Sequence, residues 1–157
     1  TGAHVTGTCG ARNIELVKSL GADEILDYKT PEGEALKSPS GLKYDAIIHC
    51  ATDIPWSKFS SNLSPNGKVI DLTPNFKSFL RSIFKKLTFS KQKLVPFLLS
   101  PNAEDLKLLG DLVKDGKLRT IVDSQYPLEK AEAAWVRSTE GHATGKVVVN
   151  HQDVSVG

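Results

Sequence analysis

This chain predicts an α/β fold built on a doubly wound parallel sheet, and three observations carry the expectation. Short apolar segments rich in β-branched residues alternate with segments whose apolar residues recur at helical spacing. The segment 44–51 (YDAIIHCA) has a near-continuous apolar centre, the mark of a strand buried on both faces. The 157 residues suit one domain of ordinary size, with 39% hydrophobic and 24% charged residues in a soluble globular balance.

The elements follow in order. Residues 4–9 (HVTGTC) read as a first strand. A helix is expected over 13–20, with Ile14, Leu16, Val17 and Leu20 as its apolar stripe and Gly21 ending it. A second strand covers 24–28 (EILDY), and 29–43 reads as loop holding at most a helical turn. The third strand is 44–51. A short helix is expected over 56–63, a turn at Asn66-Gly67, and a fourth strand over 68–72 (KVIDL). Residues 93–99 (KLVPFLL) form a candidate fifth strand, which Pro96 confines to a sheet edge. Asn102 is placed to cap a helix reaching Lys114, with Leu106, Leu109, Leu112 and Val113 inward. An extended piece at 121–124 is followed by a helix over 128–138, with Leu128, Ala131, Ala134 and Trp135 on one face. The last strand is 146–150 (KVVVN).

The totals exclude several classes. No apolar run approaches the length of a membrane span. A net charge of +2 gives no argument for nucleic acid. Cys9 and Cys50 are far apart in apolar surroundings, without metal-ligand spacing, and are expected to be reduced and buried. The scattered histidines offer no zinc site. The chain has no methionine and runs from Thr1 straight into a strand pattern. That reads as an internal start, so the absence of a targeting segment carries no information.

In open α/β sheets ligands sit beyond the carboxyl ends of the strands. The residues there are Cys9 to Asn13, Tyr28 with Lys29, Cys50 to Asp53, and Leu72 to Pro74. The first strand ends in Cys9-Gly10-Ala11-Arg12-Asn13, with an arginine where an NAD-binding sheet carries a ribose-binding carboxylate. A guanidinium suits a 2′-phosphate, so Arg12 reads as a selector for NADP. The alternative is a solvated arginine near a helix start. Tyr28 reads as a wall for the adenosine end or as a half-buried packing residue. Thr52 and Thr73 read as cofactor contacts or as turn residues. His49, flanked by apolar residues, reads as a core histidine. No Ser-His-Asp order and no paired carboxylates stand out. That fits hydride transfer, in which the nicotinamide does the chemistry and the protein orients it. His142 and Lys146 lie in GHATGKVVV, a phosphate-side turn or a plain helix-to-strand connection.

VTGTCGARNIELVKSLGADEILDY is similar to the second strand, helix and third strand of the zinc-independent quinone oxidoreductases of the medium-chain dehydrogenase/reductase superfamily. KSLGADEILDY resembles that family's K-x-L-G-A-D-x-V-I-D-Y pattern. YDAIIHCAT and NGKVIDLTP resemble its fourth and fifth strands, and GHATGKVVV its closing signature. The segments CGARN, KKLTFSK and LVPFLL resemble the plant chloroplast-envelope subgroup. The resemblance implies a Rossmann-type sheet and an NADP(H) cofactor. It implies hydride transfer to a quinone or an α,β-unsaturated carbonyl, in a chloroplast-envelope, peripheral location. Arg12 and Asn13 would hold the 2′-phosphate, and Tyr28 would touch the adenosine phosphate region. Cys50, Ala51 and Thr52 would border the ribose and pyrophosphate, and Leu72 and Thr73 the nicotinamide. His142 and Lys146 would lie where the chain returns to the cleft.

The same resemblance implies that residues 1–118 are a partial NADP-binding domain and 119–157 a return segment of the GroES-like substrate domain. The family's first strand and glycine-rich loop have no counterpart here. That strand stands mid-sheet in the order 3-2-1-4-5-6, so its absence predicts two unpaired central edges and a piece inactive by itself. A different class of reading is a non-enzymatic binding module on a degenerate nucleotide-binding fold, at a membrane or protein surface. A methyltransferase-type sheet would have wanted an acidic residue after the first strand. Residues 76–93 form a basic amphipathic pattern, with Phe76, Phe79, Leu80, Ile83, Phe84 and Leu87 on one face. Lys77, Arg81, Lys85 and Lys86 stand on the other. It suits peripheral membrane contact, packing on the domain's own sheet, or a homodimer.

Overall fold

A computed structural model describes residues 2–52, 54–74 and 91–151. Seven strands and five α-helices alternate over them, and every strand pairing is parallel. The chain divides into two compact units, residues 1–100 and 101–157.

In the first unit β1 (Thr6–Cys9) pairs with β2 (Glu24–Asp27), in register from Thr6 with Glu24 to Cys9 with Asp27. Between them a 3-10 turn (Ala11–Asn13) leads into α1 (Ile14–Ser19). Gly21, at φ +97, closes that crossover and donates its N–H to the Lys18 carbonyl at 3.0 Å. The expected loop after β2 holds one helical turn, α2 (Pro31–Glu34). Thr30 caps it by accepting the Gly33 N–H at 3.1 Å, and Pro31 takes the first helical position.

A second sheet runs β3–β4–β5. β3 (Tyr44–His49) reaches β4 (Leu63–Asp71) through α3 (Trp56–Ser60), and β4 pairs in turn with β5 (Lys93–Pro96). The expected edge position of Pro96 is what the fold has: β5 ends the sheet and Pro96 closes its register against Asp71. Among the described residues β1 pairs only with β2, and β3 only with β4. Each keeps one backbone edge unpaired among the described residues. Phe59, Leu63, Val69 and Leu94 form the core, with Ile47, Tyr44 and Trp56 packed against it.

Two expectations for this unit change. The fourth strand is longer than 68–72, because Tyr44 pairs with Leu63 and Ala46 with Lys68. The residues between Leu63 and Lys68 are thus an irregularity inside β4, and Asn66-Gly67 belongs to it rather than to a free turn. Gly67 is buried, and a Cβ there would stand 2.8 Å from the Tyr44 carbonyl oxygen. The cysteines are both free, Cys9 half-buried and Cys50 exposed. Cys50 lies beyond the last paired residue of β3, so its side chain is not held in the strand's packing.

A polar cluster ties β1 and β2 to the loop that follows α2. The Glu24 carboxylate accepts from the Ser38 hydroxyl at 2.6 Å, the Thr6 hydroxyl at 2.8 Å and the Ser40 N–H at 3.0 Å. The hydroxyl of Ser38, then the contacts from Ser40, pull its pKa down to about 2. A carboxyl lowered on folding stabilises above its unfolded value, near 4.5, and that contribution disappears as pH falls toward about 2. Glu24→Gln in the full-length protein is therefore expected to flatten the acid side of a urea-midpoint profile while leaving its neutral-to-alkaline shape. Profiles that fall in parallel between pH 5 and pH 2.5 would show that the cluster adds no pH-dependent stability.

The second unit contains α4 (Ala103–Lys114), β6 (Val122–Pro127), a 3-10 turn (Leu128–Lys130), α5 (Ala131–Thr139) and β7 (Lys146–Asn150). Asn102 caps α4 as expected, its side-chain oxygen accepting the Asp105 N–H at 2.8 Å. The apolar stripe of α4 is not inward, however. Leu106, Leu109 and Val113 are exposed, and Leu112 alone of the four is half-buried. On α5 only Ala134 is buried, while Trp135 is 72% and Leu128 50% exposed. Helical periodicity reports which face is apolar; it does not supply the surface that covers it.

Candidate functional site

The carboxyl ends of β1 and β2 form the first constellation. Gly10 continues the extended backbone of β1, and the following turn closes with the Asn13 N–H donated to the Gly10 carbonyl at 2.9 Å. Arg12 rides on that turn and is exposed, with Asn13 half-buried beside it. From β2, the Tyr28 N–H donates to the Cys9 carbonyl at 3.1 Å, extending the ladder by one residue. The Tyr28 ring lies over Gly10, where a Cβ would be 3.4 Å from its hydroxyl oxygen and 3.5 Å from its ring edge. Lys29 places its ammonium 6.0 Å from the Tyr28 ring centroid. The turn that carries Arg12 and Asn13 thus stands at the same sheet edge as Tyr28 and Lys29. The sequence places Lys29 with Tyr28 at this strand end but gives it no role there. Asp27, which ends β2, is occupied with its own turn, accepting the Lys29 N–H at 3.0 Å. Burial, aided by Asp27, pushes the Cys9 thiol up, so it stays protonated.

The second constellation crosses the carboxyl ends of β3 and β4. Cys50, Ala51 and Thr52 leave β3 exposed, and Leu72 and Thr73 leave β4 exposed. The Thr73 hydroxyl donates to the Ala51 carbonyl at 2.7 Å, joining the two exits. Beneath them lies a pair that sequence reasoning did not find. His49 Nδ1 is 3.2 Å from Asp71 Oδ1, in side chains only 10% and 7% exposed. The same carboxylate oxygen accepts the Thr73 N–H at 3.1 Å. The Asp71 carbonyl accepts the Phe97 N–H at 2.8 Å, bringing in the end of β5. His49 also packs edge-on to Phe59, with ring centroids 5.0 Å apart. A hint lay in the sequence: a polar residue directly follows the apolar runs Ala46–Ile48 and Val69–Ile70.

His142 and Lys146 lie in the second unit, both exposed. A fork that sequence reasoning also missed organises their loop. Arg137 donates to both carboxylate oxygens of Asp123, at 2.8 and 2.7 Å, and Asp123 also accepts the Thr144 N–H at 2.7 Å. Arg137 holds the Asp123 carboxyl well below the usual carboxylate range. A further Arg137 N–H reaches the His142 carbonyl at 3.5 Å. Lys146 begins β7 and donates its backbone N–H to the Ile121 carbonyl at 2.9 Å.

The donor set of the first constellation fits the adenosine end of a nicotinamide dinucleotide. It offers an exposed guanidinium, a nearby ammonium, an aromatic wall over glycine backbone, and no carboxylate ending β1. Among the described residues no group of three or more His, Cys, Asp or Glu is placed to hold a metal ion. None of the described helices is long and apolar enough to cross a membrane. The segment 76–93 expected to be amphipathic lies outside the described residues except for its last three.

Comparison with known proteins places these observations. Residues 20–149 match the family model of the zinc-binding dehydrogenases. The chain is 64% identical to a chloroplast envelope quinone oxidoreductase homologue of Arabidopsis thaliana, over 94% of this chain and 45% of the relative. It is 58% identical to a chloroplastic quinone-oxidoreductase homologue of Spinacia oleracea, over 93% of the chain and 44% of the relative. It is 30% identical to a chloroplastic NADPH-dependent alkenal/one oxidoreductase of Arabidopsis thaliana, over 92% and 33%. Among solved structures, the quinone oxidoreductase of Coxiella burnetii superposes with a TM-score of 0.79 at 24% identity, over 96% of this chain and 46% of the other. That likeness shows the fold: a Rossmann-type α/β sheet. The chain spans under half the length of the curated relatives it matches.

Proposed function

The chain belongs to the zinc-binding dehydrogenase family of the medium-chain dehydrogenase/reductase superfamily, and from that premise we propose that it is part of an NADPH-dependent oxidoreductase acting on a quinone or an α,β-unsaturated carbonyl. The observation that carries the proposal is Arg12, exposed at the end of β1 beside Tyr28, where an NAD-specific sheet would present a carboxylate. Relatives named for quinone and for alkenal/one reduction support the substrate class. In this reading Arg12 and Asn13 take the 2′-phosphate, and Tyr28 and Lys29 flank the adenosine. Cys50, Ala51 and Thr52 border the ribose, Leu72 and Thr73 the nicotinamide, and His142 and Lys146 the returning segment. When bound, the nicotinamide supplies the hydride. The protein's part is to hold the cofactor's two ends over the carboxyl edge and keep them oriented. Residues 1–118 would serve the cofactor and 119–157 the substrate domain.

Arg12→Glu in the full-length protein tests it. A charge-assisted contact contributes about 1.5–3 kcal/mol, so the NADPH-over-NADH preference in kcat/KM should fall at least roughly tenfold. An unchanged ratio removes Arg12 from the site.

The chloroplastic relatives, one of them named for the envelope, support a chloroplast location, and this reading adds peripheral attachment to the envelope. The basic pattern at 76–93 supports the attachment, since each cation near an anionic surface adds about 1 kcal/mol. Flotation of the full-length protein with anionic vesicles should be lost at high salt and in a variant with Arg81, Lys85 and Lys86 replaced by Gln. Protein that stays with the soluble fraction at low salt would assign the segment to packing within the fold or between two copies.

A further inference from the structure

We propose that His49 and Asp71 are a positioning pair for the hydride-transfer end of the site, setting the Thr73 turn against Ala51. The inference rests on the cofactor reading above, because it is the nicotinamide that those exits are taken to border.

The argument starts from strand register. β3 and β4 place His49 opposite Asp71 at the last paired position of each strand. There the imidazole Nδ1 and carboxylate Oδ1 stand 3.2 Å apart. An ionised carboxylate only accepts, so in this bond Nδ1 is the donor. Nε2 is buried and meets no partner among the described residues. A buried polar atom without a partner is unfavourable, so a phenyl ring would serve a purely packing role against Phe59 at least as well. The polar ring is instead spent on Asp71.

Asp71 in turn is a junction. Its Oδ1 takes the Thr73 N–H, and Thr73 then donates its hydroxyl to Ala51. Its backbone carbonyl takes Phe97 N–H. One carboxylate thus fixes the exits of two strands, and its own orientation is set from beneath by His49. The pair touches the turn and not the reacting atoms, so its effect reaches chemistry only through where Ala51 and Thr73 hold the ring. Misplacement there costs rate, while affinity is dominated by the distant phosphate end.

The test uses the full-length protein with NADPH and a soluble benzoquinone. His49→Phe keeps the ring against Phe59 and removes the donor. His49→Asn keeps an N–H where Nδ1 stood. His49→Phe should lower kcat on the order of tenfold while the NADPH dissociation constant, read from cofactor fluorescence, moves less than about twofold. His49→Asn should recover kcat to within about threefold of the wild type. Nitrogen-15 spectra of the cofactor-free wild type should show a His49 ring protonated at Nδ1. An unchanged kcat in folded His49→Phe, no recovery in His49→Asn, or a ring protonated at Nε2 alone would each overturn the positioning role. A wild-type protein that binds no NADPH would instead overturn the cofactor reading and the positioning role with it.

Discussion

Replacing Gly145 with alanine is expected to destabilise the β6–β7 pairing on the order of 4 kcal/mol, the sum of a strained backbone and an overfilled contact. Gly145 sits at φ +102, a conformation that side-chain-bearing residues rarely adopt, and a Cβ there would run into the carbonyl of Ile121. That carbonyl is already engaged: it accepts the Lys146 N–H that opens β7. The alanine therefore attacks the first rung of the ladder from the side. Native-state hydrogen exchange on the full-length protein would show it as lost protection at Lys146 and along β7, with β3 and β4 unaffected. Protection equal to the wild type at Lys146 would mean that the backbone shifts to accommodate the methyl without cost. The second glycine of GHATGKVVV is thus accounted for by geometry alone, whatever His142 and Lys146 contribute.

Phe59→Ala should be the most damaging change in the first unit, at about 3–5 kcal/mol. Phe59 is 4% exposed and shares the core with Leu63, Val69 and Leu94. Its ring also walls the buried imidazole of His49. Truncation opens a cavity next to a polar pair that depends on exclusion of water, so two losses add at one position. Phe59→Leu keeps most of the volume and should recover much of the stability. Thermal melting of both variants decides the matter. An alanine variant that melts with the wild type would show that the core of β3, β4 and β5 is not organised around α3.

What the sequence made legible was local. Asn102 announced its helix because a side-chain cap is a contact with a residue three positions on. Pro96 announced an edge because it cannot donate to a ladder, and β5 is an edge. The length of β4 was hidden by its irregularity, for Asn66-Gly67 has the chemistry of a turn and sits within a strand. The apolar stripe of α4 was read correctly as a stripe and wrongly as buried. The site divided along the same line. Gly10 and Tyr28 flank two strand ends and could be picked out singly, but that one packs on the other is a result of β1–β2 register. His49 with Asp71, and Asp123 with Arg137, are pairings made by strand register and by helix packing. No spacing in the sequence encodes either.

The parallel pairings have a consequence for how the molecule is made. Thr6 finds Glu24, Ile47 finds Val69, Lys68 finds Lys93, and Ser124 finds Val147. In every case the partner lies just one crossover further along the chain, so no described strand waits for a distant segment before it can pair. Loop-closure entropy is correspondingly small for each step, and low contact order favours rapid formation. During synthesis each strand can dock as soon as its own crossover has left the ribosome, in the order the chain is read. Among the described residues β1, β2, β3, β5, β6 and β7 each keep one unpaired backbone edge, and such edges are where a nascent chain is most exposed to pairing with a neighbour of its own kind.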